Sequence, residues 1–168
     1  MTEYKSIGLA YIIYGFLMIL TLLYGYLNIS LTLYGSELFS IMMGVNMGYL
    51  GYLVMLSMIV AGAYAVTLYS KAGEFLLPLG GVLLALGGFL YFFSAFITGI
   101  TEITNVVTML AFIIHGIGLV NLSLKLECKS LYASGIILFF AGIFAMTTAG
   151  AVLIMLGTIM AGFSLFKQ

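Results

Sequence analysis

The chain has 168 residues, 64% of them hydrophobic, and only ten formal charges, five lysines against five glutamates with no arginine or aspartate. A mean hydropathy of +1.30 excludes a water-soluble domain, because so few charges cannot cover an aqueous surface. Zero net charge leaves no basic field for nucleic acid, and the single cysteine, Cys128, excludes an internal disulfide or a thiolate metal cage within one chain.

The charges divide the sequence into uncharged runs, and a crossing needs ~20 apolar residues. The run from Ser6 to Ser36 is too long for a signal-peptide core and no small-x-small cleavage site follows it, so it reads as a retained first helix, about 7–27. The loop after it, Asn28–Ser40, alternates polar and apolar residues and suits the membrane interface. It begins with the glycosylation sequon Asn28-Ile29-Ser30. Further helices are expected at 45–69, 76–99 and 103–124, with Pro78 in the first turn of the third, where its missing N–H costs little. The last run, Ser130 to Phe166, suits two short helices, 131–146 and 151–166, joined by a tight turn at Thr147, Thr148, Ala149 and Gly150. The predicted fold is an all-α, polytopic membrane bundle of six transmembrane helices arranged as three hairpins in one domain, 1–168.

Six crossings place the N-terminus, Lys71, the Lys125–Lys129 loop and Lys167 on one side, opposite Glu37 and Glu102. Lysine and arginine in short loops set orientation while acids contribute little, so both termini are expected in the cytoplasm of a multi-pass cell-membrane protein. Tyr4, Tyr69 and Tyr132 fall at the inner ends, and Tyr24, Tyr26 and Tyr34 at or beyond an outer one, where amphipathic rings prefer to sit. Gly8 and Gly15, Gly81 and Gly88, and Gly135 and Gly142 are each seven apart on odd helices, and the even helices end in AVTLYSK, LVNLSLK and GFSLFK. This spacing points to three like-oriented hairpins.

Small residues mark packing faces. Gly44, Gly48, Gly51, Met55, Met58 and Gly62 form one stripe on helix 2, and Ala141 with Ala145 and Gly157 with Ala161 repeat the small-xxx-small spacing. In lipid, helices associate through close backbone approach. The stripe fits packing inside the bundle, with contact to a second subunit as the alternative.

One ionisable side chain lies deep in an apolar run: His115, the sole histidine. At 3.6 residues per turn, Thr104, Thr108, Ala111, His115 and Gly118 share about a third of the fourth helix's circumference. Intramembrane polar groups of this kind turn to a bundle interior or cavity. A hydrogen bond from His115 to a neighbouring helix, with the threonines bonding back to their own turn, is the structural reading. Proton, water or quinone contact at Thr104, Thr108 and His115 is the functional one. A haem would need a second histidine or a methionine, and Met55, Met58, Met109 and Met155 fit adaptable packing instead. No catalytic, cofactor or metal site is expected, since no carboxylate joins His115 and Ser57, Ser94 and Ser134 have no base. Cys128 sits in the predicted turn Lys125-Leu126-Glu127-Cys128-Lys129, either as an ordinary free thiol or as a palmitoylation or partner site.

Tiny loops and the absence of a recognisable site suggest a non-catalytic integral-membrane subunit, packed among other membrane subunits and lipid in a respiratory or other energy-converting assembly. The alternative is a small homo-oligomeric channel or transporter passing a proton or small neutral solute along the His115 face.

Overall fold

The computed structural model describes residues 2–28, 48–67, 75–94, 96–97, 99–145 and 147–168. All regular structure within them is helical: α1 (Thr2–Asn28), α2 (Gly48–Thr67), α3 (Leu76–Ser94), α4 (Ile100–Lys125), α5 (Lys129–Ile143) and α6 (Thr148–Phe166). Three stretches, Leu76–Ser94, Ile100–Lys125 and Ala149–Phe166, are long and apolar enough to cross a membrane, whereas Tyr4–Leu20, Tyr52–Thr67 and Lys129–Ile143 are shorter apolar helices. Among the described residues, length and apolar composition together thus support three of the six expected crossings. The interfacial loop, the sequon beyond Asn28, Tyr34, Glu37, Tyr69 and Lys71 lie outside the described residues.

Local chemistry sets the ends. Pro78 occupies the first turn of α3, where the Leu79 N–H donates to Phe75 (3.1 Å). That helix stops at Ser94, five residues short of the expected 99. Phe96 and Ile97 turn back onto the Phe93 carbonyl, and Gly99 then enters α4 at φ 93, a left-handed conformation that glycine adopts freely. The α4–α5 connection is a Schellman turn: the Cys128 N–H donates to the Ser123 carbonyl (3.0 Å), while Glu127 takes φ 50 at the position usually given to glycine. The turn expected at Thr147–Gly150 falls earlier. Thr147 is the N-cap of α6, its hydroxyl accepting from the Gly150 N–H at 3.1 Å, so Thr148–Gly150 form the first turn. Gly150 lets that turn pass against the Phe144 carbonyl, where any β-carbon would collide.

The helices form a closed ring in chain order. Each packs on its chain neighbours, and α6 closes onto α1. Three of these contacts are reciprocal glycine crossings. A β-carbon on Gly81 would stand 2.6 Å from the Gly62 carbonyl oxygen, one on Gly116 2.6 Å from that of Gly135, and one on Gly8 2.6 Å from that of Gly162. Seven residues along each odd helix, Gly15, Gly88 and Gly142 take the side chains of Ile159, Ile59 and Ile113. Neighbours therefore run antiparallel, and the described lysines, Lys5, Lys125, Lys129 and Lys167, gather at one end of the bundle.

These crossings expose a repeat that glycine spacing alone shows only in part. The even helices carry MLSMIVAG (55–62), MLAFIIHG (109–116) and MLGTIMAG (155–162), sharing methionine, leucine, isoleucine and glycine in one register. The even-to-odd glycine spacing is 19 for both Gly62–Gly81 and Gly116–Gly135. Units of even helix plus following odd helix are thus arranged with pseudo-three-fold symmetry, α6 joining α1 as the third. Each helix turns large apolar side chains outward, such as Leu9, Phe16 and Leu20 on α1, and buries the opposite face around Tyr11, Met58, Phe112, Leu138 and Ile154.

Candidate functional site

The helical repeat of α4 brings Thr104, Thr108, Ala111, Phe112, His115, Gly118, Leu119 and Leu122 onto its buried side. Close approach by α3 seals this side, because Gly80 abuts the His115 backbone and Gly118 abuts Leu77. His115 is 2% exposed. Its Nε2 shares a hydrogen bond with the Tyr11 hydroxyl, and the rings meet edge to face with centroids 5.4 Å apart at 70°. Tyr11 belongs to α1, on the opposite side of the ring, so this contact spans the bundle interior. His115 Nδ1 has no hydrogen-bond partner among the described residues.

A second polar contact lies about 15 Å along α4, ten residues at 1.5 Å each. There the Tyr91 hydroxyl donates to Asn105 Oδ1. Tyr91 is also within electrostatic reach of Tyr14 and of the Thr108 hydroxyl, although Thr108 Oγ1 makes no hydrogen bond of ordinary geometry. Tyr14 lies one turn from Tyr11, and both are buried. By helix register the six residues line up along the interior as a column, from the Asn105–Tyr91 bond, past the depth of Thr108 and Tyr14, to the Tyr11–His115 bond. Its Asn105 end is only half-buried.

At the other end the column stops against apolar side chains. Ile7, Leu77, Leu119, Leu131 and Leu165, one from each of five helices, are fully buried in the same core. They separate His115 from the lysine-bearing end, where the Ser164 hydroxyl donates to that of Ser130 (2.8 Å).

Of the residues singled out by sequence, the structure brings Thr108 and His115 into the column. Thr104 is buried on the same face, but its hydroxyl donates back to the Ile100 carbonyl (2.8 Å). In the helix 2 stripe, Gly62 packs on Gly81; Gly44 lies outside the described residues, and only the backbone of Gly48 and Gly51 is described. Ser57, Ser94 and Ser134 each donate to their own helix at 2.7 Å. Among the described residues no three metal-ligating side chains cluster. Sequence reasoning missed Tyr11, Tyr14, Tyr91 and Asn105. The available signal was the depth of Tyr11 and Tyr14 within α1, away from the helix ends where belt tyrosines sit.

At the lysine-bearing end, partly buried against the core, Cys128 is the N-cap of α5, with its Sγ 3.4 Å from Ser130 Oγ. Partial burial raises the thiol pKa, but hydrogen bonds from the Ser130 and Gln168 side chains and the Leu131 and Ser130 backbone outweigh it. The net shift is below the ordinary thiol value, as expected at a helix N-terminus.

No protein-family model, characterised protein or solved structure matches this chain.

Proposed function

We propose that this is a six-span integral-membrane protein with both termini in the cytoplasm, acting as a non-catalytic subunit of a larger membrane assembly, of the energy-converting kind. Packing supports the extra crossings. α5 has 15 residues, about 22 Å of helix against a hydrocarbon thickness of ~30 Å, yet it lies antiparallel between α4 and α6, both long enough to span. A helix locked there at Gly116–Gly135 follows its neighbours into the bilayer, and the mismatch is met by local thinning. The same reasoning carries α1 with α6 and α2 with α3. The lysines at one end orient the bundle by the positive-inside rule.

The observation that carries the subunit reading is the sorting of side chains. Polar groups turn to the bundle interior while large apolar groups face outward all round the ring, and the described turns are short. Such a protein meets other proteins laterally, in the bilayer. Mild-detergent purification of the native protein tests this: stoichiometric co-migration with other membrane subunits is expected, and isolation as a lone monomer or homo-oligomer would refute it.

The interior column favours a second reading, a small homo-oligomeric channel or carrier for a proton or small neutral solute past His115. The apolar block beyond His115 counts against a standing pore, and this reading requires that block to move. Proteoliposome uptake by the purified chain alone distinguishes the two.

A further inference from the structure

We propose that the polar column is a proton well grafted onto a three-fold apolar scaffold, admitting protons from the Asn105 end as far as His115 and no further. The proposal rests on the reading that places the bundle in a membrane and adds the ligand that the subunit handles there.

The repeat supplies an internal control for what the fold needs. Where α4 carries His115 in MLAFIIHG, the equivalent positions hold Ala61 and Ala161, and all three residues are buried. Opposite, Tyr11 stands three residues after Gly8, where the matching residues are Leu84 and Leu138. The same register pairs Tyr14 with Gly87 and Ala141, Tyr91 with Met18 and Ala145, Thr108 with Val54 and Ile154, and Asn105 with Gly51 and Ala151. Every member of the column replaces a residue that is apolar in both other units. The scaffold therefore packs without these polar groups.

Two atoms show that the column is not a set of saturated structural hydrogen bonds. Among the described residues, His115 Nδ1 is buried without a partner and Thr108 Oγ1 without a hydrogen bond of ordinary geometry, an arrangement costly enough that nearly all buried polar groups avoid it. A histidine kept only to tie helices together would be better served with both nitrogens bonded. Space restricts what enters: a methyl group on Gly80 would collide with the His115 backbone, and one on Gly87 would stand 2.8 Å from Thr108 Oγ1 and 2.9 Å from Met58 Cε. Where the helices approach so closely, a proton fits and a solute molecule does not.

The transfer is a simple exchange. The Tyr11 hydroxyl gives its proton to His115 Nε2 while its oxygen takes one from the column, and the imidazolium returns the proton by the same route, with no change of oxidation state. Among the described residues no fixed charge lies beside the imidazole. Tyr11 faces the imidazole from α1, with Tyr14 one turn away. The titratable group on α3 is Tyr91, at the column's other end, and α6 has none. On α5 there are only Lys129 and Tyr132, exposed in its first turn. α2 presents Tyr52 and Tyr64 outward. On α4, Lys125 is ten residues away, about 15 Å, and Glu102 thirteen, about 20 Å.

The test uses the full chain in lipid nanodiscs. Because His115 is the only histidine, [15N]histidine labelling gives one imidazole signal, whose ring N–H exchange with D2O is followed by NMR. Exchange is expected to slow at least ten-fold in Tyr91→Met and in Asn105→Ala, each the residue carried by another unit at that position. Unchanged rates in either folded variant would overturn the well. Asn105 is half-exposed, so its variant remains informative if Tyr91→Met misfolds. In parallel, Tyr11→Leu/His115→Ala restores the repeat. It is expected to stay monodisperse and helical with a melting temperature no lower than the parent, and aggregation or loss of helix would overturn the graft. Co-purification of partners is measured separately, so the subunit reading and the proton well can fail independently.

Discussion

At the scale of single residues, chemistry divides between a buried pair and one accessible thiol. His115 and Tyr11 meet inside the ring, far from the lysines. Cys128 sits where the α5 N-terminus and its neighbours hold the thiol pKa below the ordinary value. A lowered native pKa means more thiolate at a given pH, so native alkylation is expected to reach half its limiting rate at lower pH than in the SDS-unfolded chain. Iodoacetamide kinetics across pH 6–9, read at the Cys128 peptide, measure this directly, and Cys128 is the only thiol in the chain. The opposite order would show that burial outweighs the hydrogen bonds. His115 was legible in the sequence because one imidazole in a long apolar run stands out. Its partner was not, because Tyr11 is one of 12 tyrosines and only the fold shows which of them turns inward.

At the scale of elements, hydropathy marked where the helices lie, but backbone chemistry decided where they end. Gly99, Glu127 and Thr147 set three of those ends through dihedral or capping preferences that run length does not reveal. The glycine crossings fix register. Gly116→Val would push a branched side chain into the Gly135 carbonyl and the Phe139 backbone; backbone cannot yield as a side-chain tip does, so destabilisation of about 3 kcal/mol is expected. Reversible unfolding in mixed micelles measures it. Gly99→Ala provides the contrast, since nothing lies within 4 Å of that site and only the positive φ opposes the change, by about 1 kcal/mol. Equal effects of the two would mean that the crossings are loose. The sequence showed the odd-helix glycines, but their partners on the even helices emerged only from contacts, because 21 glycines in the chain allow too many pairings.

At the scale of the whole molecule, the repeat unit runs from an even helix to the next odd one, not within the hairpins expected from the odd-helix glycines. A circular permutant opened within 29–47, with Gln168 joined to Met1 through a short linker, would carry three consecutive units. Six residues follow Gly162 and eight lead up to Gly8, a spacing of 14, so a five-residue linker brings the third unit to the 19 of the other two. This permutant is expected to fold with native helix content and a melting temperature within a few degrees of the parent, as read by circular dichroism. Failure to fold would show that the Gly62–Gly81 and Gly116–Gly135 units do not define the architecture.

The seam between the first helix and the last also sets the order of assembly. The Gly62–Gly81 and Gly116–Gly135 pairs can close as soon as their own short stretch has left the ribosome. Gly8 must wait for Gly162, so α1 leaves the ribosome well before the helix it packs on most extensively. While the residues between Gly8 and Gly162 are being made, α1 keeps that flank uncovered.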